Sequence, residues 1–284
     1  MTLTPLRDLV NGVCSHPIKL FICAFTAFSV LQTLGSGITY FAPGVKFDHP
    51  WALPVVGGIS LLWAIKKLWK PSTIEINVPN CNTVIEITFG DLFKQTGIRV
   101  IAVNEFFDSE IGKPVSDKSI HGKLIQTVFA GHPESFDKLV LDALEGKSAE
   151  EIQAKVDGKK LRYPIGTTVL IAAAKEKYLL LAFSKTDPET CKASSTVTLM
   201  WDALHDLWQR VRIESGGHDV NLPLVGSGRS GLGLPTVDLL NLIILSAITE
   251  TKSKPITDRI RIILPLDRFE KLDLRDVKAH WEAK

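Results

Sequence analysis

The sequence predicts an α/β domain behind two apolar segments, and three observations predict it. Apolar residues concentrate before residue 71, whereas beyond it short β-branched runs alternate with amphipathic stretches. A loop almost without large side chains, VNLPLVGSGRSGLGLP at residues 220–235, lies between a strand-like run and a helix-like one. With 284 residues and 45% hydrophobic content, the chain can hold one ordinary domain and an additional element, or two small domains. A formal net charge of +2, with no basic stripe interleaved with aromatics, argues against nucleic acid as a partner.

The first apolar segment runs KLFICAFTAFSVLQTLGSGITYF, and nothing between Lys19 and Lys46 is charged. Roughly 20 residues suffice to cross the hydrocarbon core as a helix, so this is a span, placed at about 18–40. The second, WALPVVGGISLLWAIKKLW, is short before Lys66, but Trp51, Trp63 and Trp69 suit the interfaces while Lys66 and Lys67 snorkel, which gives a span at about 50–69. Basic residues flank the pair at Arg7, Lys19, Lys66, Lys67 and Lys70, which puts both termini in the cytoplasm. A signal peptide followed by a buried helix is the alternative; the weak basic start and the length of the first segment count against it. Gly35, Ser36, Gly37, Gly57 and Gly58 would allow close helix approach.

The domains are thus 1–70, a hairpin, and 71–284, the α/β part. Its strands are expected at 74–78, 83–89, 98–103, 168–173, 178–183, 220–225 and 260–264, and its helices at 120–129, 134–144, 196–213, 235–249 and 274–281. The apolar spacing Val197, Met200, Trp201, Leu204, Trp208, Val211 draws one core-facing stripe. Helix 235–249 reads as apolar almost all round and hence fully buried, so that Asp238 and Asn241 need partners. Cys14, Cys23, Cys81 and Cys191 form no C-x-x-C pair and read as thiols of a reducing compartment. Seven scattered histidines show no ligand spacing, so neither a metal nor a cofactor is expected.

A strand, a glycine loop and a helix N-terminus make an anion site, because backbone N–H groups converge without side chains in the way and the helix dipole adds positive charge. No Gly-Lys-Ser or Gly-Lys-Thr occurs, which excludes the phosphate loop of nucleoside triphosphatases. A dinucleotide fingerprint would follow the first strand, and this loop lies near the end of the chain. A glycine-rich connection without ligand is the remaining alternative.

Gly90-Asp91-Leu92 follows the strand TVIEITF, and Val103-Asn104 ends IRVIAV. The ordered set of strand-GDL, strand-VN, helix, strand-PLVGSGRSGLGLP and helix resembles a macro domain, a three-layer α/β/α fold that binds ADP-ribose. The resemblance implies that Asp91, beside Leu92, holds the adenine amino group. It gives the diphosphate to Gly226, Ser227, Gly228, Arg229, Ser230 and Gly231. Backbone donors and Arg229 would each supply a charge-assisted bond of about 1.5–3 kcal/mol, unless Arg229 is simply solvated. Tyr163 to Thr167 matches the family's turn into its middle strands. The segment from Ser116 to Gly122 is expected to form the other wall, with Ser116, Ser119 and His121 as candidates for the distal ribose or its substituent and Asn104 and Gly122 also in the ligand-binding set; Ser119 is alternatively a helix cap.

Hydrolytic macro domains carry a second asparagine where this chain has Phe107, so the expectation is a binding protein and not an enzyme. Asp108, Glu105 and His121 are the candidate bases should there be turnover. Taken over the length of the chain, GDLF, IAVNEFFD, VSDKSIHGKLI and PLVGSGRSGLGLP behind two apolar segments resemble the transmembrane-macro effectors of bacterial Thoeris anti-phage systems. That resemblance implies an inner-membrane protein with two spans, whose ligand is an ADP-ribose conjugate such as histidine-ADP-ribose. It also implies a partner TIR-domain enzyme that makes the ligand from NAD. The ligand is then expected to promote homo-oligomers that act on the lipid bilayer and arrest or kill the infected cell. A membrane-tethered ADP-ribosylhydrolase and a passive ADP-ribose reader are the alternatives.

Overall fold

The computed structural model describes residues 17–42, 44, 49–228 and 232–282, in two compact units, Met1–Pro71 and Ser72–Lys284. The first holds helices α1 (Pro17–Phe41) and α2 (Ala52–Leu68), which pack against each other. No residue of α1 is buried, and its hydroxyls bond within the helix, Thr26 to the Ile22 carbonyl at 2.7 Å and Thr33 to that of Ser29 at 2.8 Å. An apolar surrounding requires such internal satisfaction. Among the described residues α1 is the one helix long and apolar enough to cross a membrane by length and composition. The second expected span is a helix of only 17 residues that ends in Lys66 and Lys67, because the apolar run stops at Ile65. Small side chains face inward there, Ser60 and Ala64 being buried, whereas a Cβ at Gly35, Gly37, Gly57 or Gly58 would meet nothing within 4 Å.

The second unit contains β1 (Thr73–Asn77), β2 (Val84–Phe89), β3 (Ile98–Asn104), α3 (Ile120–Val128) and α4 (Pro133–Leu144). Then come β4 (Glu150–Glu151), β5 (Leu161–Arg162), β6 (Thr168–Ala173), β7 (Glu176–Thr186), β8 (Ala193–Ser194) and α5 (Val197–Glu214). The chain closes with β9 (Val220–Pro223), α6 (Thr236–Ser253), β10 (Arg259–Leu264) and α7 (Leu274–Glu282). Each of the seven expected strands and five expected helices of this unit is present within a few residues. The short strands β4, β5 and β8 were not expected; two- or three-residue pairings have no periodicity to read.

One sheet runs β1-β2-β10-β9-β3-β7-β6, with β8 on β7, while β4 and β5 pair separately. The strands β2, β10, β9, β3 and β7 are parallel, and β1 and β6 add antiparallel edges. The turn at Tyr163 to Thr167 therefore leads into an edge strand, not a middle one. Ile101 and Val103 of β3 and Leu180 and Ala182 of β7 join Leu124, Ile125, Phe136 and Val140 of α3 and α4 in one core. The alternate residues Val100, Leu179, Leu181 and Phe183 are buried as well and point to the opposite face, where α5 packs. The result is three layers.

Helix starts follow local chemistry. Ser119 caps α3 by accepting from the Gly122 amide at 2.9 Å, Thr196 caps α5 by accepting from Leu199 at 3.2 Å, and Pro133 opens α4. The helix after the glycine loop departs from its expectation. In α6 Leu239, Leu240, Ile243, Ile244, Ala247 and Ile248 are buried, but Val237 and Leu245 are exposed, and so is Asp238. Asp238 thus needs no protein partner, and Asn241 accepts from Trp281 Nε1 at 3.0 Å. An outer helix layer covers one side only, so apolar composition overstated its burial.

Candidate functional site

From β9 the chain passes through α6 to β10 on one side, and from β3 it passes through α3 and α4 to β7 on the other. The two connections diverge between neighbouring parallel strands. At such a switch point an open α/β sheet leaves a crevice beyond the carboxyl ends of its strands. The loops after β2, β3 and β9 all leave the sheet at these ends, which brings together the expected segments around Asp91, Asn104 and Gly226.

Gly90 donates its amide to the Leu264 carbonyl at 2.9 Å, which ties the loop after β2 to β10. Asp91 caps a short 3-10 turn, its Oδ1 accepting from the Phe93 amide at 3.0 Å. Lys123 Nζ donates to both carboxylate oxygens, at 3.1 and 2.9 Å, and lies 5.0 Å over the Phe93 ring. Partial burial works against ionisation of Asp91, but Lys123 and the Phe93 amide outweigh it and hold the carboxyl below the usual range. A carboxylate has about four lone-pair positions, so one on Oδ2 stays open to a further donor. Leu92, by contrast, is buried at 4% in the core and anchors the loop from inside.

Beyond β3 the register against β7 shifts between Val103 and Asn104, and the chain turns sharply. Asn104 spends its side chain on this turn, Nδ2 donating to Asp108 Oδ2 at 2.8 Å and Oδ1 accepting from the Asp108 amide at 3.1 Å. Phe107 adopts φ 51°, an uncommon backbone for a bulky residue, and is buried edge-on against Tyr163. Asp108 is fully buried and accepts two bonds of 3.0 Å from Lys155 Nζ and one of 2.7 Å from the Lys159 amide. A Cβ at Gly158 would stand 2.3 Å from Asp108 Oδ1, and its φ is +81°, so the clamp closes only around glycine. Lys155 also lies 4.5 Å over the Phe106 ring.

None of the three candidate bases opens to the crevice. Asp108 is committed as described, and Glu105 is buried with its Oε1 accepting from the Thr186 amide at 3.0 Å. Burial leads the causes that push the Glu105 carboxyl up. His121, expected to face the ligand, turns into the core against Phe136 at 5.3 Å; burial first, and then Lys159, lower its pKa to about 3. The ring is carried inward with the buried face of α3, its Nε2 enclosed without a hydrogen-bond partner, which overturns its place in the cleft wall.

The rest of that wall is a folded loop. The Ser116 carbonyl accepts from the Ser119 hydroxyl at 2.6 Å and from its amide at 3.0 Å, while Ser116 Oγ accepts from the Lys118 amide at 3.4 Å. Ser119 therefore acts as the helix cap. A Cβ at Gly122 would fall 2.2 Å from the Ser116 carbonyl oxygen, so the loop lies against the first turn of α3 only because residue 122 has no side chain. Lys123 was missed in the sequence, although its spacing of four from Ser119 puts both on one helix face.

The glycine loop begins with Leu224 donating to the Ile263 carbonyl at 3.2 Å and closes with Leu232 donating to that of Gly226 at 3.2 Å. Gly226 has φ +80°, with Leu232 2.9 Å from a would-be Cβ, whereas Gly228 faces open space. The Ser227 hydroxyl donates to the Leu224 carbonyl at 2.7 Å. Arg229, Ser230 and Gly231 lie outside the described residues. Behind these loops Phe269 meets Phe89 edge-on at 5.1 Å, and α7 packs on β1. A separate concavity lined by Pro164, Gly166, Asp206 and Arg210 contains no expected site residue.

Sheet order, layers and loops define a macrodomain fold, and solved structures agree. The Oceanobacillus iheyensis macrodomain with MES bound superposes with a TM-score of 0.52 at 12% identity, over 75% of this chain and 98% of that one. A mutant of it with ADPR gives 0.52 at 13%, over 74% and 99%, and its form with ADP gives 0.51 at 12%, over 75% and 98%. Residues 85–265 match the family described as Thoeris protein ThsA, Macro domain, and the chain belongs to that family. No curated protein matches the chain.

Proposed function

We propose that this chain is a membrane-anchored Thoeris effector whose macro domain binds an ADP-ribose-derived signal without hydrolysing it. The observation that carries the reading is the convergence at one switch point of Asp91, the loop 116–122 and an open glycine at residue 228. An ionised Asp91 is an acceptor only and suits the exocyclic amine of adenine. Unobstructed backbone at Gly228 suits a diphosphate, as the loop geometry of ADP-ribose readers requires. The relatives bound to ADPR and ADP support a ligand of that class.

Three features favour a reader over a hydrolase: Phe107 fills the core, Asp108 is locked by Lys155, and His121 is sealed. General base catalysis needs a group within hydrogen-bond reach of the attacking water. The signal, for which histidine-ADP-ribose is one form, comes from a TIR-domain partner. Helices α1 and α2 act as two spans in the inner membrane, with both termini in the cytoplasm, and the open faces of Gly35, Gly37, Gly57 and Gly58 suit helices of other copies. Ligand promotes association to the extent that it binds the assembled state more tightly, and assembly compromises the membrane and stops growth.

The test is titration calorimetry of the full-length chain in detergent with ADP-ribose, together with chromatography of the ligand after overnight incubation. Binding with intact ligand recovered is expected, and Asp91→Ala abolishes most of it. Accumulating ribose products would instead establish a hydrolase.

A further inference from the structure

Lys123 is the one basic side chain that the described residues bring onto Asp91 by direct contact, and it belongs to the wall opposite. It reaches from the first turn of α3 to the end of β2, so its charge sits at the mouth of the crevice. The pair is open to water, at 45% and 34% exposure, and exposed pairs add little to folding. Its consequence for a ligand is larger. A diphosphate brings about two negative charges into a crevice that already holds the ionised Asp91 carboxylate, and like charges repel.

Resting on the ADP-ribose reading above, we infer that Lys123 is a specificity-determining residue that neutralises Asp91 and so lets one crevice hold both an adenine amine and a diphosphate. The bond pattern allows it. Lys123 occupies one position on each Asp91 oxygen and the Phe93 amide a second on Oδ1, and the remaining position on Oδ2 accepts the ligand's amine without displacing the ammonium. The role is therefore electrostatic. It depends on the positive charge, which Met, of similar length, does not supply.

The experiment is calorimetric titration of ADP-ribose into the full-length chain in detergent, comparing wild type, Lys123→Met and Lys123→Arg at about 50 mM and about 500 mM NaCl, salt concentrations whose screening lengths differ severalfold. Lys123→Met is expected to weaken binding about tenfold at low salt, the order of one uncompensated unit charge near a protein surface. The deficit should shrink to about threefold or less at high salt, and Lys123→Arg should stay within about threefold of wild type. Lys94→Met, which removes a nearby exposed charge that makes no direct bond to Asp91, is the control and should change the affinity by less than about twofold. A Lys123→Met protein that binds like wild type overturns the inference. So does a deficit that ignores salt and is not restored by arginine. A wild-type chain that binds no ADP-ribose overturns the reading beneath it instead.

Discussion

Two Asp–Lys pairs stand beyond the carboxyl ends of β2 and β3, separated by two strands in the sheet, and they do opposite things. Asp108–Lys155, behind β3, has no solvent exposure on either side chain; Asp91–Lys123, at β2, is exposed by about a third to a half. Water screens the second pair strongly and the first hardly at all, and the first, already stripped of water, cannot lose a partner without leaving a buried charge. The buried pair therefore holds the fold, tying residues 155–159 to the turn that places Phe107. The exposed pair is left for a ligand to use. A charged residue near a site is informative about function only once its burial is known.

Breaking the buried pair should have the largest effect. Asp108→Asn leaves Lys155 charged and without its carboxylate inside the protein, at a cost of about 3–5 kcal/mol, read as a lower midpoint in urea denaturation followed by tryptophan fluorescence. A loss below about 1 kcal/mol would mean that the pair is solvated in solution.

Acid sharpens the same contrast. The folded pKa of His121, about 3, lies below that of the unfolded chain, about 6.5, so the unfolded state takes up the proton first as the pH falls. Stability is complete above about 6.5 and is lost progressively below it; at pH 5 the loss is about 2 kcal/mol. Denaturation midpoints of wild type and His121→Leu at pH 7.5 and 5 check this, and the variant should show the smaller difference.

A smaller effect, about 1–2 kcal/mol, is expected for Gly122→Ala, whose methyl group forces the Ser116 carbonyl away. ADP-ribose affinity should fall by more than this stability change explains, since the displaced loop is a crevice wall. At the exposed end, Lys123→Met and Gly228→Val should each alter stability by less than about 1 kcal/mol, the first because its pair is wet and the second because its Cβ meets open space. Gly228→Val should nonetheless abolish ADP-ribose binding in calorimetry. Retained affinity would remove the glycine loop from the site.

The order of strands and helices was legible because periods of two and 3.6 residues are local properties. The loops around Asp91, Ser116–Gly122 and Gly226–Gly228 were legible from their place in that order. The length of α1 was equally plain, whereas α2 and its 17 residues fell between a span and a shorter helix. The direction of His121 was not: at the second position of α3 the ring can turn either way, and Phe136, from another helix, decided it.

The sequence by itself determined the α/β alternation, the apolar N-terminal segment and a glycine loop suited to an anion, since each rests on neighbours a few residues apart. Tertiary structure alone decided which charges pair. Asp108 and Lys155 are 47 positions apart, Asp91 and Lys123 are 32, and no local pattern joins them. It also decided that α6 keeps one side in water and that β6 closes the sheet at an edge. Burial and pairing across such separations are set by how the layers pack, and packing belongs to the whole chain.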